Sequence, residues 1–247
     1  MSIRKLHIIM PMAGEGSRLL NAGIKVPKPM LIHANKYLFN RAIDSLSDIN
    51  CEKTYTFIVR TEHVMNNGID IEIKKIFPNS NIVAIDETTR GSVETCLAAK
   101  SFISDNDAII ILDCDLEFKS KSFDSFIMNN LQLDNNENCI GGGVVSFESN
   151  DNRFSYALVD KYNQVVKTAE KKVISKNALI GAYYFSRGDL FLNVAEKVVN
   201  SNQQEYPEFY TSILYNYLIN DGFKIYLNKS DEYFSYGTPE ELLMHER

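Results

Sequence analysis

The segment Pro11-Met12-Ala13-Gly14-Glu15-Gly16-Ser17-Arg18 follows an apolar run and carries residue types that can wrap an anion. Glycine lacks a Cβ, so successive backbone N–H groups can converge on phosphate oxygens, and the planar guanidinium of Arg18 can grip such oxygens in pairs. Two familiar phosphate motifs do not fit. A dinucleotide fingerprint needs a third Gly or Ala, opening a helix, where Leu19 stands, and Asn21-Ala22-Gly23 and Pro27-Lys28-Pro29 disfavour a continuous helix there. A P-loop needs Gly-Lys-Ser/Thr, which the sequence lacks. The loop reads as a phosphate cradle of another geometry, with a tight turn that binds nothing as the alternative.

Other segments offer charges for the same anion. Pro27 and Pro29 hold Lys28 in an extended backbone close behind the loop, so its ammonium can act as a point charge. In Asp113-Cys114-Asp115, alternate residues point to one side, and carboxylates at a strand end near a triphosphate suit Mg²⁺. Thr88-Thr89-Arg90-Gly91-Ser92-Val93-Glu94-Thr95 leads into a helix, with a glycine for close approach and small hydroxyls for a base. Each has a plain reading too: a solvated lysine, aspartates ending a strand, a serine-capped helix. Glu170-Lys171-Lys172 alone reads as a solvated charge run. The histidines form no pattern, and His7 and His33 read as structural.

The elements that must position these residues alternate through the first half. Strands are expected at Lys5–Pro11, Thr54–Val59, Asn81–Ile85 and Ala108–Leu112, and helices at Leu38–Leu46, Asp70–Phe77 and Ser92–Ser101. Continuous apolar runs such as Ala108-Ile109-Ile110-Ile111-Leu112 suit strands covered on both faces. The alternation predicts a doubly wound α/β layer. After about residue 136 come four short strand candidates, Ile140–Phe147, Tyr156–Asp160, Val165–Glu170 and Leu179–Phe185, with a hairpin turn at Asp160–Asn163 and a polar loop at Asp134–Asn138. Helices follow at Gly188–Asn200 and Pro207–Ile219. In the second, Tyr206, Phe209, Tyr210, Ile213, Leu214 and Tyr217 recur at helical spacing, as a core face does. A single unit over residues 1–247 is expected, with halves of about 1–118 and 119–247.

Composition bounds the function. With 45% hydrophobic and 23% charged residues, the chain reads as a globule with a sizeable core. Its apolar stretches are too short to cross a bilayer, and the first strand lacks a signal-cleavage pattern. The four cysteines show no metal spacing, which fits free thiols in a reducing cytoplasm. A net charge of −6 argues against nucleic acid or an anionic membrane as partner. An anionic small molecule then requires basic residues gathered in one pocket.

Taken together, the segments resemble the nucleotidyltransferases that activate sugar 1-phosphates, with a GT-A-like, Rossmann-like fold: a mixed, mainly parallel sheet flanked by helices, with a smaller acceptor-binding lobe. The order is strand, G-x-G-[ST]-R, P-K-P, a Gly-Ser helix start, Asp-x-Asp, Glu-Lys, then Gly237-Thr238-Pro239-Glu240, and it spans nearly the whole chain. Pro11-Met12-Ala13-Gly14 further resembles a branch from bacterial capsule clusters that includes cytidylyltransferases acting on phosphoglutamine. The resemblance implies that Met12, Ala13, Gly14, Glu15, Gly16 and Ser17 seat the nucleotide and Arg18 holds the departing pyrophosphate. Lys28 would stabilise the reacting phosphates, and Gly91, Ser92 and Thr95 would meet base and ribose. Asp115, with Asp113 beside it, would bind Mg²⁺. Lys171 would hold the acceptor's phosphate, and Asn177 and Gly181 would lie on the acceptor-side strand.

One position departs from the family. Its usual second metal aspartate is replaced by Ser235, so that Asp231, Glu232 or a substrate carboxylate could serve instead. The implied reaction is transfer of NMP from an NTP, CTP or UTP favoured by analogy, to a small phosphorylated acceptor such as a sugar 1-phosphate or phosphoglutamine. Self-association, common among such proteins, is implied as well. The alternatives are a catalytically silent nucleotide-sugar binding protein, a nicotinamide oxidoreductase disfavoured by Leu19, and a glycosyltransferase using Asp113-Cys114-Asp115.

Overall fold

A computed structural model of the chain describes residues 3–132, 139–201 and 207–244. In chain order the first half contains β1 (Leu6–Pro11), α1 (Ser17–Asn21), the small β2 (Ile32–His33) and β3 (Lys36–Tyr37), and α2 (Leu38–Asp44). It continues with β4 (Lys53–Arg60), α3 (Thr61–Asn67), α4 (Ile69–Ile76), β5 (Asn81–Ile85) and α5 (Ser92–Leu97). Next come β6 (Ala108–Leu112), β7 (Leu116–Lys119) and α6 (Lys121–Gln132). The second half contributes β8 (Ile140–Glu148), β9 (Ser155–Val159), β10 (Val165–Glu170), β11 (Asn177–Phe185) and α7 (Gly188–Val199). It finishes with α8 (Leu214–Asn220), β12 (Lys224–Lys229), β13 (Glu232–Ser235) and α9 (Pro239–Met244).

Nine strands form one mixed α/β sheet. Along it run β10-β9-β11-β6-β1-β4-β5, with β8 paired to both β11 and β12. The ladder from β6 through β1 and β4 to β5 is parallel, and β11 joins β6 antiparallel. Alternate residues of β1 explain the apolar runs. Ile8 and Met10 face a core with Phe39, Phe57, Ile73 and Phe123, whereas Ile9 faces a second core with Val93, Phe185, Phe191 and Leu214. Helices therefore cover both faces, and both strand faces are apolar apart from polar groups that pair with one another, such as His7 with Thr56.

The sequence expectations hold for the core strands and shift at the edges. Ser92–Ser101 is not one helix: α5 stops at Leu97 and a single 3₁₀ turn follows at Lys100–Phe102. Pro207–Ile219 divides likewise, with a 3₁₀ turn at Thr211–Ile213 before α8. Phe209, Ile213 and Leu214 are buried as a core face requires, but Tyr210 turns towards a cavity. Tyr206 and Asp134–Asn138 lie outside the described residues. No helix among the described residues is long and apolar enough to cross a membrane.

Candidate functional site

The loop after β1 lies at the carboxyl end of the parallel strands, where such sheets bind ligands. Gly16 caps α1 with φ 64°, a left-handed conformation that glycine adopts without strain, and its carbonyl accepts from the N–H groups of Leu19 and Leu20. Lys28 is not extended as its two prolines predicted: it begins a 3₁₀ turn, Lys28–Met30, in which Pro29 is accommodated in the first turn, and its Nζ is ion-paired with Asp115 Oδ2. Burial opposes the Lys28 charge, but Asp115, Cys114 and Asp113 outweigh it and hold the ammonium above its ordinary pKa.

Asp113 and Asp115 follow β6, and Cys114 between them turns into the core. Burial, with Asp115 and Glu170 nearby, outweighs Lys28 and pushes the Asp113 carboxyl up to about 7. The backbone of Asp113 donates to the Gly181 carbonyl at 2.9 Å. The register of β11 against β8 shifts between Leu179 and Tyr183, and Gly181 sits within that shift at φ 92°. A Cβ there would collide with the Asp113 carboxylate, so the glycine lets the two strands share the site.

The chain's last strand brings in a third wall. β13 pairs antiparallel with β7, placing Ser235 opposite Leu116, and the Tyr236 N–H donates to the Asp115 carbonyl at 2.8 Å. Thr238-Pro239-Glu240-Glu241 is a capping box: Thr238 N–H donates to Glu241 Oε2 at 3.1 Å, and Glu241 N–H donates to Thr238 Oγ1 at 3.3 Å. The same Oε2 accepts from Ser235 Oγ and from Gly237 N–H, each at 2.8 Å. Asp231 and Glu232 point elsewhere. Asp231 accepts from the Lys121 N–H at 2.9 Å, and Glu232 pairs with Lys119 at 2.9 Å. Neither lines the cavity, and Glu241 is the acidic residue beside Ser235.

On the opposite wall, Glu170 Oε2 accepts from Ser155 Oγ at 2.5 Å and Ser212 Oγ at 2.9 Å. Burial raises its pKa against those two hydrogen bonds. Gly91, at φ 138°, packs so closely on the Phe209 backbone that a Cβ would stand 2.6 Å from its nitrogen. This contact sets Ser92 Oγ 2.9 Å from Thr211 Oγ1.

These walls enclose a cavity of about 440 Å³. Of the residues singled out from sequence, Met12, Gly14, Gly16, Arg18, Lys28, Ser92, Asp113, Asp115 and Gly181 line it. Ala13, Glu15, Ser17, Gly91, Thr95, Lys171 and Asn177 stand outside the lining. Glu15 accepts from Thr88 Oγ1 at 3.3 Å, Thr95 Oγ1 donates to the Gly91 carbonyl at 3.1 Å, and Asn177 Nδ2 donates to the Ala157 carbonyl at 3.3 Å. Lys171 Nζ donates at 2.7 Å to the hydroxyl of Tyr210, which does line the cavity. Arg153, Ser155, Glu208, Tyr233 and Glu241 also line the cavity and were not expected from sequence, and Tyr183 lines it from the strand expected on the acceptor side. Only Glu241 carried a local signal, the T-x-x-E capping pattern. The others sit in turns or on strands where nothing local marks them.

No group of three or more His, Cys, Asp or Glu side chains arranged to hold a metal occurs among the described residues. Asp113 and Asp115 do supply the oxygen chemistry Mg²⁺ takes when one or two carboxylates share it with substrate phosphates. A metal carried in with a triphosphate fits this donor set better than a cage built by the protein alone.

The sequence profile of the nucleotidyl transferase family matches residues 6–244. None of the curated proteins compared matches the sequence. Among solved structures, a nucleoside-diphosphate-sugar pyrophosphorylase from Vibrio cholerae RC9 is similar at 25% identity and a TM-score of 0.79, covering 97% of this chain and 99% of that one. A putative glucose-1-phosphate thymidylyltransferase from Bacillus anthracis shares 17% identity at a TM-score of 0.75, covering 98% and 94%. The inositol-1-phosphate CTP transferase from T. maritima shares 12% at 0.70, covering 100% and 97%; these last two likenesses speak for the fold alone.

Proposed function

This chain belongs to the nucleotidyl transferase family, and we propose that it transfers NMP from an NTP to the phosphate of a small acceptor, releasing pyrophosphate. CTP or UTP is the favoured donor, and a sugar 1-phosphate or a phosphoglutamine-like compound the favoured acceptor. Supply of an activated precursor for capsule or surface polysaccharide follows from the same resemblance. One observation carries the reading: the Lys28–Asp115 pair stands in a cavity bounded on one side by the Gly14–Arg18 loop and on the other by Gly181 of β11. Such a cavity has room for two anions that must meet.

The acceptor's phosphate is largely dianionic near neutral pH, its second pKa being about 6, so it attacks the α-phosphorus without a general base. The burden on the protein is alignment and charge stabilisation. The loop's backbone seats the triphosphate, Arg18 holds the pyrophosphate as it leaves, and Lys28 offsets charge growing on the reacting phosphates. Mg²⁺ held by Asp115, with Asp113 beside it, would neutralise phosphate charge when bound. Lys171 belongs to the acceptor side, behind Tyr210.

A second reading, nucleotide-sugar binding without turnover, is favoured by Ser235, whose hydroxyl is committed to Glu241. A matrix of the four NTPs against sugar 1-phosphates, phosphoglutamine and other small phosphates, read by pyrophosphate release with Mg²⁺, separates the two. Turnover with at least one pair is expected, and Lys28→Ala should lower it by about a thousandfold with the fold intact. Nucleotide binding with no release across the matrix would establish the silent protein. Near-normal release by Lys28→Ala would sink the catalytic assignment.

A further inference from the structure

Lys171 leaves the acceptor side of the cavity without a cation of its own in the lining, because its ammonium is turned onto the Tyr210 hydroxyl. Arg153 fills that gap. It lies in the turn between β8 and β9, and it is the third basic residue of the lining after Arg18 and Lys28. Its Nη2 meets Glu241 Oε1 at 2.5 Å, its Nε lies 3.1 Å from Asp151 Oδ2, and its guanidinium carbon sits 4.5 Å from the centre of the Phe154 ring. The Glu241 carboxylate and the aromatic face thus hold the fork, while Asp151 stands at ion-pair distance from Nε without a hydrogen bond to it. Nη1 has no partner among the described residues, which leaves its N–H groups for a ligand.

Glu241 ties this fork to the reacting end. A Cβ placed on Gly237 would stand 3.4 Å from Glu241 Oε2 and 3.2 Å from Asp115 Oδ2, so those carboxylates converge on one point. Arg153 is therefore one carboxylate away from the Lys28–Asp115 pair, whereas Lys171 reaches the cavity only through Tyr210, next to Ser92 and Thr211. A pre-oriented guanidinium binds phosphate oxygens in pairs, which a lysine cannot do.

Resting on the transferase reading above, we propose that Arg153 grips the acceptor's phosphate directly and that Glu241 is the positioning residue that aims it. The two carboxylates offset its charge, so Arg153 contributes geometry more than excess positive potential. It would accordingly select a tetrahedral oxyanion presented at the Asp115 end of the cavity.

Inorganic phosphate serves as the probe, titrated by phosphorus NMR into protein saturated with the non-hydrolysable α,β-methylene analogue that it binds among those of the four NTPs. Arg153→Met should weaken phosphate binding by about tenfold or more, and Arg153→Lys should recover little of it. Analogue binding and the thermal unfolding midpoint, measured on the same samples, show whether the variants fold and keep the nucleotide side. If Arg153→Met folds, binds the analogue and holds phosphate within about twofold of the unaltered chain, the proposal is overturned. The same follows if the unaltered chain binds the analogue but no phosphate. If the unaltered chain binds no such analogue of any of the four NTPs, the transferase reading fails and takes this proposal with it.

Discussion

Lys28 pairs through Nζ with Asp115 Oδ2 just beyond the apolar strand β6. Asp113, two residues earlier, packs on Gly181 of a strand far along the chain. His7 is a structural residue: it sits in β1 at 1% exposure, with Nε2 2.8 Å from Thr56 Oγ1. Burial pushes its pKa down to about 4, below the ordinary 6.5. Between those values the unfolded chain binds a proton that the folded chain refuses. Stability is therefore fully present above about pH 6.5 and falls towards pH 4, by on the order of 3 kcal/mol from this group. His7→Gln, compared with the unaltered chain by urea denaturation across that range, should flatten this part of the acid loss. An unchanged slope would show that His7 is not its source.

At the scale of elements, the strands of the parallel ladder were legible because burial on both faces leaves continuous apolar runs. The short elements were not. β7 and β13 have four residues each, and their pairing joins positions over a hundred residues apart, which no local pattern can encode. That small ladder delivers Ser235 and Gly237 to Asp115, and α9 then anchors it through its capping box. Glu241→Ala removes the acceptor for three donors and the carboxylate paired with Arg153. It should cost about 1–2 kcal/mol in chemical denaturation. Glu241→Gln, which keeps an acceptor oxygen, should cost less. Equal losses in the two variants would mean that the ion pair with Arg153, rather than the cap, holds the turn.

At the scale of the molecule, one sheet crosses both halves. β11 pairs with β6 from Ala182 opposite Leu112 to Phe185 opposite Ile109, so the strands of the second half hydrogen-bond directly to the parallel ladder of the first. Each half completes a core of the other, since Phe185 and Leu214 pack with Ile9 and Val93. Thermal unfolding should therefore be a single transition, coincident by far-UV circular dichroism and by tyrosine fluorescence, which is available because the chain has 13 tyrosines and no tryptophan. Two separated transitions would show that the halves fold independently. The same architecture marks the limit of the sequence. By itself the sequence determined the layered α/β class, the glycine loop and the paired aspartates, because apolar periodicity and glycine act within a few residues of chain; the 3₁₀ turn at Lys28 was not among them. Only the tertiary structure decided that Arg153 and Glu241 share the cavity with them and that Lys171 stands behind Tyr210. Those placements depend on strand pairings between distant segments, and the polar side chains involved carry no periodicity that could announce them.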